Sequence, residues 1–294
     1  MIGAVLSGAA RWAIVQGDNL AVMRGMPAGA VHLAYLDPPF FTGRDFALAD
    51  GRLAFSDKWE SLDAYLDHVL ARCAAARDTL TDDGTLILHV DPTASHYLKV
   101  ALDKLFGREC YRNEIIWRYR RWPVEGKDFQ RMHDVLFRYT KSPKRERWSQ
   151  LYEPLAESTL EVHGTKKQKH RRVDGPGEPA RRLGYSTEES PGAPMSDVWE
   201  IGLVAPLSAK RTGWPTEKPP ELLERILTSC SLTGDVVLEP YCGSGPAVER
   251  AVALGRRGIG IDQSPIAVGI ARGRVDGPLF QRATGTDLFE RSDA

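Results

Sequence analysis

Residues 235–265 read DVVLEPYCGSGPAVERAVALGRRGIGIDQSP, and this stretch decides the fold. A short apolar run, Val236–Glu239, is followed by a loop with two glycines, a segment with helical spacing and a second apolar run that ends at Asp262. This order of elements predicts a βαβ unit, in which a helix joins two parallel strands. An acid about 20 residues beyond the glycines is the arrangement that binds the ribose hydroxyls of a nucleotide-like ligand.

The glycine loop predicts a single nucleoside as ligand in preference to a dinucleotide. Gly243 and Gly245 lack the third glycine of dinucleotide-binding loops, and Pro246 has no N–H to offer an anion at the start of the helix. Glu239, at the end of the strand, disfavours a phosphate and suits a cationic ligand such as a sulfonium or an amino group. Alternatively, either glycine serves only a tight turn.

The same alternation of elements continues towards both ends of the chain. Apolar runs predict strands at Ala13–Gln16, Val31–Leu36, Thr85–Val90, Val236–Glu239 and Gly258–Ile261. Helical spacing predicts helices at Leu62–Leu80, Ala94–Phe106, Pro220–Ser231 and Ala247–Leu254. The pattern indicates an α/β fold with a doubly wound, mostly parallel sheet covered by helices on both faces. Two further runs, Glu114–Tyr119 and Val135–Tyr139, predict an antiparallel edge.

The alternation fails between residues 140 and 195, where Pro, Gly, Ser and charged residues dominate. This segment contains KSPKRERW and GTKKQKHRRVDGPGEPARR, in which basic residues outnumber acidic ones. A charge run is commonly a solvated face, but aromatic residues among the bases favour contact with nucleic acid. The candidate DNA-binding residues are Lys166, Lys167, Lys169, Arg171 and Arg172.

Composition excludes several other classes of protein. The chain has 294 residues with 39 basic and 39 acidic side chains, so any attraction to nucleic acid must be local. Its four cysteines form no CxxC pair, and the sequence therefore predicts neither a zinc site nor a disulfide framework. No run approaches the roughly 18 apolar residues of a membrane span, and no basic segment precedes an apolar leader. We expect a cytoplasmic protein without a membrane partner.

Five stretches carry a resemblance to a known family. They read QGDNLAVMRGMPAGAVHLAYLDPPF, SHYLKVALDKLFGRECYRNEIIWRY, SDVWEI, GWPTEKPPELLERIL and LEPYCGSG followed by GRRGIGID. In this order they resemble the amino-methyltransferases that act on DNA, in the class whose catalytic motif precedes the cofactor loop. The resemblance covers almost everything outside residues 140–195.

The resemblance implies a methyltransferase fold of the S-adenosyl-L-methionine-dependent type and that molecule as cofactor. It divides the chain into a catalytic half at 1–139, a target-recognition insert at 140–195 and a cofactor-binding half at 196–294. By position, the catalytic motif falls on Asp37, Pro38, Pro39 and Phe40. The implied cofactor-binding residues are Asp18 near the adenine, Asp262 at the ribose, Thr216, Glu217 and Lys218 over the methionine end, and Asp37, Glu239, Tyr241, Gly243 and Gly245. The chain departs from the family pattern at Tyr241, Pro246 and Glu217, where Phe, Thr and Gln are common.

The chemistry of amino methylation explains the sequence DPPF. An exocyclic amino nitrogen is a poor nucleophile, because its lone pair is delocalised into the ring. A carboxylate at Asp37 and the carbonyl of Pro38 would each accept one of its N–H bonds and stabilise the positive charge that develops on nitrogen. Pro39 stiffens the acceptors, and Phe40 would stack on a base flipped out of the duplex.

The sequence thus predicts a site-specific DNA methyltransferase that makes N6-methyladenine in double-stranded DNA. The alternatives are N4 methylation of cytosine, an RNA or protein amide methyltransferase, and a DNA- or cofactor-binding module without turnover. Serine commonly replaces the aspartate in cytosine enzymes of the family, which favours adenine. A homodimer and a cognate restriction enzyme would both fit the resemblance, and the sequence decides neither.

Overall fold

The computed structural model describes residues 1–171, 181–204 and 212–276, with the backbone alone at 168–171 and 181–187. The chain divides into two compact units, Met1–Ser149 with Asp197–Ala294, and Gln150–Ser196. Within the described ranges, no helix is both long enough and apolar enough to cross a membrane.

Strands and helices alternate along the described part of the chain. The strands are β1 (Trp12–Gln16), β2 (Val31–Leu36), β3 (Asp45–Ala47), β4 (Leu53–Ser56), β5 (Leu80–Val90), β6 (Tyr111–Arg118), β7 (His133–Thr140), β8 (Tyr152–Glu153), β9 (Lys166–Arg171), β10 (Arg181–Glu189), β11 (Ala193–Pro194), β12 (Val198–Glu200), β13 (Val236–Glu239) and β14 (Arg257–Asp262). The helices are α1 (Ile2–Leu6), α2 (Asn19–Arg24), α3 (Leu62–Thr79), α4 (Pro92–Phe106), α5 (Glu157–His163), α6 (Pro220–Cys230), α7 (Pro246–Ala253) and α8 (Pro265–Asp276). Polar side chains cap the N-termini of several helices. The Ser61 Oγ and the Asp91 carboxylate accept hydrogen bonds from backbone N–H groups in the first turns of α3 and α4.

A sheet of eight strands in the order β1-β14-β13-β2-β5-β7-β6-β12 organises the first unit. The strands from β1 to β5 in this order pair in parallel, β7 is antiparallel to both of its neighbours, and β12 pairs in parallel with β6. The sheet is buried on both faces, as mostly parallel sheets are. Side chains of α3 and α4 pack in the main core cluster, and those of α7 and α8 pack in a second cluster around Ile14.

The winding of the sheet reverses between β13 and β2, which are neighbours. From β13 the chain continues through α7 to β14 on one side, and from β2 it continues to β5 on the other. The carboxyl ends of two such strands leave a crevice above the sheet, because their outgoing connections diverge. Glu239 ends β13 and Asp37 follows β2, so the crevice brings together the two acids that the sequence singled out.

The predicted α/β fold with a doubly wound, mostly parallel sheet is confirmed. The predicted strands and helices are present with shifts of a few residues, the largest at β5, which begins at Leu80 where Thr85 was expected. The pair at residues 114–119 and 135–139 is antiparallel as predicted, but it is not an edge. It lies between β5 and β12, because the short strand β12 adds to β6 at the end of the sheet.

The second unit contains more regular structure than its composition suggested. It holds α5 and two small antiparallel sheets, β9 with β10 and β8 with β11. Residues 140–149, placed with the insert by composition, belong to the first unit. Lys141 donates to the carbonyls of Arg77 and Leu80, and Arg147 pairs with Asp83 there. The role of residues 140–195 in target recognition stays a prediction.

Candidate active site

The crevice at the switch point opens into a cavity of about 550 Å³, which we call the strand-end cavity. This volume lies within the range of small-molecule sites. The lining includes nearly all of the residues predicted for catalysis and for cofactor binding. They are Asp37, Pro38, Pro39, Phe40, Thr216, Glu217, Lys218, Glu239, Tyr241, Gly243 and Asp262. Segments that are far apart in the sequence thus meet at the carboxyl ends of the central strands.

The carboxylate of Asp37 has two differently used oxygens. Lys218 Nζ donates to Oδ2 at 2.5 Å, and the Lys218 side chain is buried. Oδ1 is buried without a hydrogen-bond partner among the described residues, and the nearest ring nitrogen, His89 Nδ1, lies 3.8 Å away. An unpaired buried carboxylate oxygen is costly and indicates a missing donor. Oδ1 therefore keeps a capacity to accept a hydrogen bond that none of the described residues uses.

A buried chain of polar side chains supports the catalytic motif from beneath. His89, fully buried in β5, shares a hydrogen bond of 2.8 Å between its Nδ1 and the Tyr35 hydroxyl, and one of 3.1 Å between its Nε2 and Asp134 Oδ2. The Tyr119 hydroxyl donates to the other oxygen of Asp134 at 2.8 Å. Burial opposes ionisation of Asp134, yet the bonds with His89 and Tyr119 and the charge of Lys218 hold its pKa below the ordinary value. Such a network fixes the ring of His89 below Phe40.

The ring of Phe40 lies close to His89 and to Lys218. Its centroid is 5.4 Å from that of His89, and Lys218 Nζ lies 5.0 Å from it. The rest of the ring is partly open to the cavity, since Phe40 is only partly buried. An exposed aromatic face beside an unpaired acceptor suits a planar heterocycle that carries an amino group.

The loop after the motif is held rigidly by one buried acid. The backbone N–H groups of Phe41 and Thr42 donate to the two oxygens of Asp57, both at 2.8 Å. Phe41 adopts φ = 64°, a left-handed conformation that is strained for a bulky residue. The hydrogen bonds to Asp57 stabilise this strained conformation. The acceptors of the motif are therefore pre-organised by β4 and its flanking loop as well as by the prolines.

The glycine loop is shaped by its contacts with protein. Gly243 and Gly245 have φ = 49° and 76°, and added Cβ atoms would lie 2.8 Å from Trp214 Nε1 and from Ala271 Cβ, respectively. Gly245 caps α7, and Pro246 takes the first helical position, which tolerates the missing N–H. Backbone conformation and packing against Trp214 and α8 thus require both glycines.

Two acids at the strand ends, Asp262 and the buried Glu239, differ in their hydrogen-bond partners. Asp262 accepts the backbone N–H of Gly243 and of Ser264, both at 2.8 Å, and burial raises its pKa. Glu239 is buried with an unpartnered Oε2, and burial followed by the Asp37 charge raises its pKa well above the usual value. Asp262 therefore organises the loop through bonds that leave further lone pairs for a ligand. Glu239 has no cation paired with it among the described residues.

Glu217 anchors the segment Thr216–Lys218 to α8 and to the glycine loop. Its Oε1 accepts from Arg274 Nη2 at 2.8 Å in α8 and from the Ser244 hydroxyl at 2.9 Å in the glycine loop. Thr216 has φ = 60°, which is rare for a β-branched residue. These bonds hold Lys218 beside Asp37. Glu217, predicted at the methionine end of the cofactor, already has several partners within the protein.

Several predicted residues lie outside the lining of the strand-end cavity. Within the described ranges, Asp18 caps α2 and pairs with Arg72 at 2.9 Å, whereas its neighbour Asn19 lines the cavity. Lys166 forms an ion pair with Glu189, and Lys167 Nζ lies 3.4 Å from Glu188. Lys169 and Arg171 lie on β9, and Arg172 falls outside the described residues. Their part in DNA binding stays a prediction.

Sequence reasoning missed His89, Asn19 and Trp214. Trp214 precedes the PTEKP segment and stacks on Phe55, with ring centroids 6.4 Å apart, in the wall of the cavity. A tryptophan beside the predicted methionine-end segment was a usable signal for Trp214. No local pattern marks His89, because a lone histidine in an apolar strand reads as an ordinary core residue.

Comparison with known proteins identifies relatives of this chain. A family model described as DNA methylase, for N6 and N4 methyltransferases, matches residues 31–272. The chain is 29% identical to the Type II methyltransferase M.EcaI of Enterobacter cloacae, over 85% of this chain and 66% of that protein, so it spans just under two thirds of that relative. It is 28% identical to the DNA adenine methyltransferase YhdJ of Escherichia coli strain K12, over 85% of this chain and 77% of the relative.

Solved structures share the fold. TTHA0409 from Thermus thermophilus, solved in complex with S-adenosyl-L-methionine, matches with a TM-score of 0.57 at 20% identity, over 93% of this chain and 94% of that one. The PvuII DNA methyltransferase, specific for cytosine N4, matches with a TM-score of 0.61 at 12% identity, over 94% and 90% of the two chains.

Proposed function

Because this chain belongs to the DNA methylase family of N6 and N4 methyltransferases, we propose that it methylates the exocyclic N6 of adenine at specific sites in double-stranded DNA. The observation that carries the proposal is the Oδ1 atom of Asp37. It is a buried carboxylate oxygen that has no hydrogen-bond partner among the described residues. Asp37 and the partly exposed ring of Phe40 both line the cavity at the switch point of the sheet. The methyl donor is S-adenosyl-L-methionine.

The strand-end cavity fits this cofactor. S-adenosyl-L-methionine supplies an electrophilic methyl group on a sulfonium centre when it is bound. The unpartnered oxygen of Glu239 suits a cationic group, and Asp262 keeps lone pairs for ribose hydroxyls. Tyr241 and Trp214 supply apolar walls, which ligand sites need around their few polar contacts.

The residues of the catalytic motif take complementary roles. Asp37 Oδ1 accepts one amino N–H of the target base and the Pro38 carbonyl accepts the other, so that the nitrogen lone pair is localised for attack. As nitrogen forms its new bond it becomes positive, and the adjacent carboxylate stabilises that charge. Lys218 holds the other oxygen of Asp37, which restricts rotation of the carboxylate. Phe40 stacks on the flipped base.

The choice of adenine rests on the aspartate and on a relative. YhdJ, at 28% identity, is named as a DNA adenine methyltransferase. A second candidate is the N4 amino group of cytosine, because the PvuII enzyme shares the fold and is specific for it. Both bases present a planar ring with an exocyclic amino group, so that the acceptors at Asp37 and Pro38 serve either one.

Mass spectrometry of nucleosides tests the proposal directly. Purified protein is incubated with DNA and S-adenosyl-L-methionine, and the DNA is then digested. We expect N6-methyladenine, with sequencing of modified bases placing it in one recurring motif. Methylcytosine would overturn the choice of base, and an unmodified digest would overturn the activity.

The matched control is Asp37→Asn, which keeps the shape of the side chain but places an amide where the carboxylate acts. Loss of a pre-organised electrostatic partner typically costs about 100- to 1,000-fold in rate. We expect that loss in single turnovers at saturating cofactor, while S-adenosyl-L-methionine still binds. A variant that transfers methyl groups at the wild-type rate would show that Asp37 has only a structural role.

A further inference from the structure

A second cavity adjoins the catalytic motif on the side away from the glycine loop. It encloses about 1,340 Å³, and we call it the basic cavity. Phe40 and Lys218 belong to the linings of both cavities, so the basic cavity begins where the target base is proposed to bind. The buried side chains of Trp117 and Tyr119 form part of its floor. The strand-end cavity and the basic cavity therefore meet at the face of Phe40.

Five arginines line this cavity, and they differ in how far they are already used. Arg118 pairs with Glu200, Arg121 donates to the Tyr119 hydroxyl, and Arg131 donates to the Thr93 hydroxyl. Arg44 and Arg120 are exposed, and their side chains make no hydrogen bond or ion pair with any residue in the described ranges. Free guanidinium groups around a cavity are the pattern that binds phosphate. They point to a polyanion at its rim.

The connection between β6 and β7 adds an apolar side chain to this rim. Every residue from 120 to 131 is exposed, and Trp122, which lines the basic cavity, is 90% exposed. Pro123 fixes its own φ and restricts the backbone of Trp122, and Gln130 closes the connection by donating to the Val124 carbonyl. A large, exposed indole beside free arginines is poorly placed for an isolated protein. Its chemistry suits the stacked bases of nucleic acid.

We propose that the β6–β7 connection binds a DNA duplex and acts as a wedge during base flipping. Arg44 and Arg120 bind phosphates beside the target. Trp122 stacks into the space that the flipped base leaves in the duplex, while that base occupies the cavity against Phe40. Apolar wedges of this kind stabilise opened base steps. This inference rests on the proposed base methylation and adds the residue that lowers the cost of flipping in a paired duplex.

The chain supplies a matched control for Trp122. Phe129 is an equally exposed aromatic residue of the same connection, but it does not belong to the lining of the basic cavity among the described residues. Both side chains are exposed, so neither Trp122→Ala nor Phe129→Ala is expected to alter folding or the affinity for S-adenosyl-L-methionine. Comparison of the two variants separates wedging from a general loss of surface aromatic area.

Single-turnover methylation of two duplexes tests the inference. One duplex is fully paired and carries the motif found by sequencing; in the other, the target base lies opposite an abasic site, which lowers the cost of flipping. We expect Trp122→Ala to lose about 10- to 100-fold in rate on the paired duplex, the worth of one stacked aromatic, and to recover most of it on the abasic duplex. Phe129→Ala should match the wild type on both duplexes.

The outcomes distinguish this inference from the proposed function. Wild-type rates of Trp122→Ala on the paired duplex, or equal losses on both duplexes, would overturn the wedge while leaving the methyltransferase intact. Faster methylation of the same motif in RNA would overturn the choice of a DNA duplex. If the wild type itself methylates neither duplex, the proposed function fails first and the wedge with it.

Salt dependence tests the phosphate contacts independently of turnover. Replacing Arg44 and Arg120 with alanine should lower the log–log slope of duplex affinity against salt by about 0.9 for each lost contact. The control replaces Arg52 and Lys58, exposed cations that already pair with Asp50 and Asp45 and line neither cavity, and it should change the slope less. An unchanged slope in the variant that lacks both arginines would show that Arg44 and Arg120 do not contact phosphates.

Discussion

At the scale of single residues, the site depends on how two carboxylates are satisfied. Asp37 has one oxygen paired with Lys218 and one oxygen free, whereas Glu239 is buried without a paired cation among the described residues. An ionised carboxyl group in an apolar setting is expensive unless it is paired, so Glu239 favours its protonated form. This difference underlies the roles proposed above, in which Asp37 accepts an amino N–H and Glu239 binds a cationic ligand.

The raised pKa of Glu239 leads to a prediction about pH. Its stabilising effect on the free protein is present below the unfolded value of 4.5 and is lost as pH rises through the raised folded pKa. A cationic cofactor favours the carboxylate, so binding should release a proton and strengthen as pH rises. Calorimetry in two buffers of different ionisation enthalpy should detect that proton.

Glu239→Gln is the control for this effect, because the amide is neutral at every pH. We expect S-adenosyl-L-methionine to bind this variant about 10- to 100-fold more weakly, the worth of a hydrogen bond to a charged group. The enthalpy of binding should no longer depend on the buffer, and the stability of the variant should not fall over the pH range that weakens the wild type. Equal proton release by both proteins would remove Glu239 from the cofactor site.

At the scale of elements, the strand–loop–helix unit at 236–253 is rigid because its loop packs closely. Gly243 approaches Trp214, and Gly245 approaches Ala271 in α8, so that the loop is clamped between the Thr216–Lys218 segment and a helix. Pairing of β13 with both β14 and β2 places this loop next to the end of the strand that precedes Asp37. Phe41 and Thr216 adopt left-handed conformations at the same end of the sheet, where hydrogen bonds accepted by Asp57 and by Glu217 hold their loops in place.

Alanine substitutions at glycines test this packing. Gly245→Ala places a Cβ 2.8 Å from Ala271 Cβ at φ = 76°, so both strain and overlap oppose it. We expect a loss of about 1–3 kcal/mol in the free energy of unfolding, measured with denaturant. The control is Gly273→Ala, at an open and exposed position of α8, which should stabilise by about 0.4–1 kcal/mol. Equal stabilities of the two variants would contradict the close approach.

At the scale of the whole molecule, both cavities lie in one of the two compact units, and target recognition is predicted for the other. The described residues that line the strand-end cavity and the basic cavity all belong to the unit formed by 1–149 and 197–294. The unit at 150–196 has its own paired strands. Compact units of this kind can carry separate roles, because few interactions within each depend on the other.

Removal of the second unit tests this division. Replacing 150–196 with a short Gly–Ser linker should leave the affinity for S-adenosyl-L-methionine unchanged, because the described lining of that cavity lies outside the segment removed. Methylation should lose its preference for one motif, as read by sequencing of modified bases. If the shortened chain still methylates the same motif, recognition belongs to the first unit, and the prediction for 140–195 is wrong.

The sequence by itself determined the features that depend on neighbours along the chain. Periodicity placed the strands and helices of the sheet, and the glycines with the terminal acid indicated a nucleoside-type ligand between β13 and β14. The order of motifs indicated the family. These signals can be read from the sequence alone, because hydrogen bonding in helices and the pleat of strands impose short repeats on it.

Tertiary structure alone decided which side chains of the site contact one another. Lys218 and Asp37 are 181 residues apart, and their ion pair exists only because the sheet reverses its winding at β2 and β13. His89 acquires its place beneath Phe40 through pairing of β5 with β7, which brings Asp134 to it. The arginines of the basic cavity come from the loop after β2 and from β6 with its connection to β7. Contacts between distant residues follow from topology and packing, and no local pattern of residue types encodes them.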